Sequence, residues 1–425
     1  MINPEDRLYA GSGQIFPKGP YTWYCTDLDQ RRVFAVTYGP PTPVEDASTT
    51  DVVCIKKLQQ HVDDLGEGVY AIRFSDPNGP ITISTDLADD MTEITNCHQF
   101  AALELPFPVK VTTRDRLVEL DRLDRQVDLV TYNSTPSVAA APTVTKAAFK
   151  YWYMEHGMFR RWYELNSWSR LPRDHPHIVP FDAVVLDKAH GGIVGFTSLF
   201  IPGGTLDDNN ATTRPFQLRW LRQLLSVVDD LNHVYGVMHQ DIAPRNLLID
   251  ESDNLRIFDF NYAIQIDKDY VEERDDMKGV IFTLYEIITL DEHYREVPHK
   301  EQDADAVMRL EWTKHPDVKL DAEVGAFRKV LKAWVQKRKG REFKHVDTWV
   351  RWTRMPEMPL AKVFCGTNEE GKPNIRVTRT TAVLRRHLQE MGEPFSDWER
   401  PASYHLRDTL AKVEAGKAGG DSKAD

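Results

Sequence analysis

Residues 237–263 read VMHQDIAPRNLLIDESDNLRIFDFNYA, and the reading of this stretch decides the fold. A polar loop holding His239, Gln240, Asp241 and Asn246 runs into the apolar triplet Leu247, Leu248, Ile249. A cluster of turn-forming residues, Asp250 to Asn254, separates it from a second apolar run, Leu255 to Phe258, which ends at Asp259. Two short apolar runs bracketing such a cluster predict an antiparallel hairpin. Its return brings Asp259 back beside Asn246, so two carboxylates and a carboxamide gather at one end of a small β-ribbon.

That set of side chains suits phosphoryl transfer. Asn246 and Asp259 offer hard oxygen ligands to Mg²⁺, which shares its coordination sphere with phosphate oxygens. Asp241 remains available to accept the proton of an attacking hydroxyl. Here the chain resembles the eukaryotic-type protein kinase superfamily, whose catalytic loop reads H-R-D-x-x-x-x-N and whose metal motif reads D-F-G. In this sequence the two stand as His239-Gln240-Asp241-Ile242-Ala243-Pro244-Arg245-Asn246 and Asp259-Phe260-Asn261. The resemblance implies a two-lobed α+β kinase fold, with Mg²⁺ and ATP in the cleft. It makes Asp241 the catalytic base, Arg245 the cation beside the transferred phosphate, and Asn246 and Asp259 the metal ligands.

Upstream, the resemblance covers residues from about 115. Ala148-Phe149-Lys150 is similar to the family's V-A-I-K strand, which implies Lys150 as the ammonium on the phosphates; Lys146, on the same strand face, competes with it. A helix is expected from Glu155 to Leu171, with Phe159 and Trp162 on one side. Glu164 is its expected partner for Lys150, with Glu155 as the spare. His175-Pro176-His177-Ile178-Val179 resembles a strand entry, and Pro202-Gly203-Gly204-Thr205-Leu206 the segment after the family's adenine-binding hinge. By that resemblance Leu199, Phe200 and Ile201 supply hinge backbone.

Several positions depart from the family pattern. No glycine occurs in Asp121-Arg122-Leu123-Asp124-Arg125, where the family covers ATP phosphates with a Gly-rich loop. Arg122 or Arg125 could supply cationic contacts there, or the segment is a solvated hairpin tip. Gln240 replaces the arginine that binds an activation-loop phosphate, which argues against that form of switching. Asn261 replaces glycine; asparagine tolerates positive φ, so it is expected to preserve the aim of Asp259. Only a short run separates Asn261 from Asp276, the acid expected to hold the central helix, and no A-P-E occurs in it.

The 425 residues suffice for two to three domains, and 41% hydrophobic content can fill their cores. A net charge of −12 argues against nucleic acid as a partner. Four cysteines without C-x-x-C spacing suggest reduced thiols. With no signal-like N-terminus and no long apolar run, the expectation is an intracellular, cytoplasmic protein with no membrane partner. The expected domains are a β-rich N-terminal module (1–110), a kinase small lobe (111–201) and a kinase large lobe (202–342). A C-terminal extension packed on the large lobe (343–413) and a disordered tail (414–425) follow. Val52 to Ile55 is read as one of the N-terminal strands, and the basic end of the helix from Ala322 to Arg338 as a solvated face. The expected function is ATP-dependent transfer of a phosphoryl group to a hydroxyl-bearing acceptor, protein or small molecule. The alternatives are a pseudokinase scaffold and a small-metabolite kinase.

Overall fold

The computed structural model describes residues 2–134, 143–155, 157–358, 360–367, 370–378 and 380–403. Residues 404–413 of the expected C-terminal extension and the expected disordered tail at 414–425 lie outside them. The described chain is a mixed α+β structure with several sheets and helices.

The first sheet holds five strands in sequence order: Leu8–Ile15, Tyr21–Asp27, Arg32–Tyr38, Ala71–Phe74 and Thr82–Ser84. Arg32–Tyr38 and Ala71–Phe74 run parallel, and parallel neighbours need a crossover. The helix Thr50–Gln59 supplies it, so the β-branched run Val52 to Ile55 is helical and not the expected strand. Tertiary packing overrides its propensity: Cys54 and Leu58, one helical turn apart, bury against Phe34, Val36 and Ile72.

The second sheet has six strands, in the spatial order Lys110–Thr113, Phe181–Leu186, Ile193–Leu199, Thr143–Tyr151, Val127–Ser134, Val118–Asp124. Residues expected to form an open tip at 121–125 are mostly paired strand. The hairpin closes in a turn at residues 125–126, where Gln126 takes φ 56°. Both arginines of that segment are engaged by carboxylates. Arg122 is buried and pairs at 2.9 Å with Asp29, in the turn between the second and third strands of the first sheet, donating also to Pro401 O at 2.8 Å. Arg125 pairs with Asp6.

The helical part is built on Leu218–Asp229, Asp276–Thr289 and Val324–Arg338. Trp220, Leu221, Leu224, Leu225 and Val228 form the buried stripe of the first, each aliphatic residue contributing about 1.5–3 kcal/mol by leaving water. The last helix is less solvated than its basic composition suggests. Arg338 binds Asp229 (2.6 Å) and Asn232 (2.6 Å), and Arg328 donates to the Met308 and Leu310 carbonyls.

The C-terminal segment packs on more than the helical part. Trp349 sits against Met238 and Ile266, and its indole donates to His233 O at 3.1 Å. Farther on, Thr380–Thr381 pairs with Ile94–Thr95, and Arg385 binds Asp90. Trp398 stacks on Tyr151 at 5.2 Å, and Arg400 reaches Glu119 (2.9 Å) and Asp128 (2.7 Å). Arg31, in the turn before the third strand of the first sheet, meets the same two carboxylates, so one ion cluster ties that N-terminal sheet and the C-terminal segment to the six-stranded sheet. Among the described residues no helix is long and apolar enough to cross a membrane.

This cluster makes stability pH-dependent. Burial works to raise the Glu119 pKa, but Arg31 and Arg400 outweigh it and hold the carboxyl down at about 2. A depressed carboxylate stabilises the fold above its unfolded value and loses that contribution as pH falls toward the folded one. Thermal denaturation between pH 5 and pH 2.5 is therefore expected to lower Tm more in the wild type than in Glu119→Gln. The variant is expected to be the less stable of the two at pH 7.

Candidate active site

Lys150 lies near the end of the Thr143–Tyr151 strand, and its approach to the neighbouring strand depends on Gly195. A Cβ at Gly195 would stand 2.3 Å from Lys150 O, so a side chain there would force the strands apart. The Lys150 ammonium binds Glu164 Oε1 at 2.5 Å and also pairs with Asp259. Lys146, by contrast, is exposed. Glu164 is fully buried in the helix Met158–Trp168, shorter than the expected span. Trp162 faces the core there, whereas Phe159, expected on the same side, is exposed because the buried stripe runs through 158, 162 and 165. Trp168 lies between the two halves of the site. Its ring is 5.5 Å from the Lys150 ammonium and packs on Phe196 (6.0 Å) and Phe260 (5.4 Å).

The expected hairpin forms, with Leu247–Ile249 antiparallel to Leu255–Ile257. Asp250 shapes its turn by accepting from the Ser252 (3.0 Å) and Asn254 (2.9 Å) amides. Phe258 is held on both sides: its N–H donates to Asn246 O (3.2 Å) and its carbonyl meets His239 Nε2 (2.9 Å). Asp259 therefore leaves the ribbon at a fixed point. It takes φ 67°, and Asn261 is not among the positive-φ residues, so the tolerance expected at Asn261 is exercised one step earlier. Aspartate is enriched in that region of backbone space, and the cost is of order 1–2 kcal/mol. Burial opposes the Asp259 charge, but Lys150 and Arg161 more than offset it and hold the carboxyl well below the usual carboxylate range.

Asp241 and Asn246 form a second group. The Asn246 amide donates to the Asp241 carboxylate at 2.8 Å and to its carbonyl at 2.7 Å. That orientation turns the carboxamide oxygen, the harder ligand, away from Asp241. Arg245 pairs with the other Asp241 oxygen and is half exposed. The loop is clamped from below by Asp276, which accepts from the His239 (2.9 Å) and Gln240 (2.7 Å) amides and from Asn232 (2.8 Å). Gln240 takes φ 63°, and this clamp holds it there. Burial pushes the Asp276 carboxyl up, against the donors that surround it.

No protein-family model matches the chain. About 100 residues are similar to plant protein kinases. CBL-interacting protein kinase 22 of Oryza sativa subsp. japonica is 38% identical over 109 residues, 24% of this chain and 23% of that protein. CBL-interacting protein kinase 12 of the same organism is 34% identical over 103 residues (24% and 18%), and CBL-interacting serine/threonine-protein kinase 12 of Arabidopsis thaliana 34% over 97 (22% and 19%). Over that stretch the chain is protein kinase-like. The match spans about a fifth of the length of these relatives.

Two further features bear on the sequence reading. Leu199 and Phe200, expected as hinge backbone, already donate their amides to Pro180 O (3.0 Å) and Lys146 O (3.3 Å). Leu199 still belongs to the strand, so its N–H is spent on the protein, and the Ile201 side chain is buried. The sequence reading also passed over Arg161. It lies one turn before Glu164, binds Glu164 Oε2 at 3.0 Å and reaches Arg125 O at 3.4 Å. The i,i+3 spacing was its available signal. The expected strand-entry histidines are structural: His175 meets Asp230 (3.2 Å) and His177 meets Leu255 O (3.1 Å).

Asp276→Asn keeps the shape of the clamp but replaces one acceptor oxygen by an NH₂ group, so at least one of the three donors faces another donor. Urea denaturation is expected to show a loss of about 2–3 kcal/mol.

Proposed function

We propose that this protein is a divergent kinase-like phosphotransferase that moves the γ-phosphoryl group of Mg·ATP to a hydroxyl. The observation that carries the reading is the meeting of Lys150, Glu164 and Asp259, from three separated segments, beside the Asp241–Asn246 pair. The residues fit the ligands in kind: an ionised carboxylate and a carboxamide oxygen for the metal, and a buried ammonium for phosphate. Mg²⁺, when bound, neutralises phosphate charge and orients the leaving group. Lys150 would exchange part of its hold on Asp259 for phosphate oxygens, while Glu164 keeps the ammonium in place. Asp241, oriented by Asn246 and Arg245, would accept the acceptor's proton. Arg245 would face the transferred group.

The acceptor side supports a compact substrate. A cavity of ≈ 420 Å³ opens beside Asp241 and Arg245, lined also by Arg274, Lys278, Glu296 and His299. Residues 295–299 and Gln302 also line it, and Arg295 is fixed there by Glu286 at 2.6 Å. A small hydroxyl-bearing molecule suits this volume better than an extended peptide.

A pseudokinase scaffold is favoured by one observation, the glycine-free hairpin whose Arg122 and Arg125 are held by Asp29 and Asp6. Turnover separates the readings. With Mg·ATP and a panel of hydroxyl acceptors, the wild type is expected to transfer phosphate, and Asp241→Asn to lose about 10²–10⁴-fold in rate. Equal rates in both would remove Asp241 from the chemistry. Nucleotide binding without transfer to any acceptor would favour the scaffold.

A further inference from the structure

Neither arginine expected to compensate for the missing Gly-rich loop is free to do so. Arg122 is buried against Asp29, and Arg125 is turned to Asp6. A different cation stands where those amides are lacking. Arg161, in the first turn of the helix Met158–Trp168, places one guanidinium nitrogen 3.0 Å from Glu164 Oε2. Another lies 3.4 Å from Arg125 O, in the turn that closes the hairpin. The side chain thus bridges the helix carboxylate to the tip of the ribbon, and 16% of it remains exposed. Lys150 occupies the other oxygen of the same carboxylate and also pairs with Asp259. Two cations and two anions therefore meet at one point, and a polyphosphate arriving there would recruit both cations.

We propose that Arg161 is a nucleotide-phosphate ligand, supplying from the helix the positive charge that the glycine-free hairpin does not supply from backbone amides. The inference rests on the phosphotransferase reading above. A guanidinium suits the task because its planar set of donors can hold Glu164 with one edge and phosphate oxygens with another. The hydrogen bond to Arg125 O then ties the hairpin to the same group, so the tip and the phosphates are positioned together. Arg161 does not replace Lys150, whose ammonium is nearly enclosed. It adds a partly open cation on the hairpin side of Glu164.

The test is calorimetric titration of the full chain with Mg·ATP, ADP and adenosine, using wild type, Arg161→Ala and Arg161→Lys. Arg161→Ala is expected to bind Mg·ATP and ADP about 10- to 100-fold more weakly, the scale of a lost charged hydrogen bond. Its affinity for adenosine is expected to match the wild type, and Arg161→Lys to recover part of the loss. Wild-type affinity for Mg·ATP in Arg161→Ala would overturn the inference and leave the phosphotransferase reading standing. An equal loss for adenosine and ATP would make Arg161 a structural residue only. Absence of binding to any nucleotide by the wild type would overturn both.

Discussion

A carboxylate buried beside aromatic rings is tolerated only where cations meet it, and Glu164 is met by two. Lys150 brings Asp259 into the same group, so a strand, a helix and the end of a hairpin converge on one balanced set of charges. Removing Lys150 would take the shared cation from both carboxylates, a loss of about 3–5 kcal/mol in comparable sites. The neighbouring packing follows from this requirement. Gly195 lets the strand beneath Lys150 close up, and Trp168 fills the space between Phe196 and Phe260.

The second constraint is backbone strain held in place by hydrogen bonds. Gln240 and Asp259 both adopt left-handed φ, and each is flanked by fixed groups. Asp276 receives the amides around Gln240, while Asn246 and His239 hold Phe258, the residue before Asp259. The loop at 239–246 and the segment 259–261 are thus joined through His239, which contacts Phe258 and lies tilted against Phe260 at 5.0 Å. Such over-determined strain at a charged cleft agrees with a preorganised site.

Local pattern was enough to read the hairpin at 247–257, because alternating turn and apolar residues encode it directly. The pairing of Lys150 with Glu164 was legible only through resemblance, since fourteen residues and a change of element separate them. Long-range partners left no local trace. Nothing near Arg122 signals Asp29, and nothing near residue 398 signals Tyr151, so the tying of the N-terminal sheet and the C-terminal segment to the six-stranded sheet was not foreseen. Val52 to Ile55 looked like a strand because β-branching is local, whereas the parallel pairing that demands a helix there is not. The amides of Leu199 and Phe200 were read as available because the extent of the strand through Leu199 depends on its neighbours.

The central claim is that the Lys150–Glu164–Asp259 cluster receives nucleotide phosphate. Titrating wild type and Lys150→Met with ATP, with and without Mg²⁺, tests it most directly, with unligated Tm recorded to confirm that both are folded. The account predicts Mg²⁺-dependent binding by the wild type and at least a tenfold weaker affinity, about 1.4 kcal/mol, in the variant. Equal affinity in the two proteins, or no binding by a folded wild type, would contradict it.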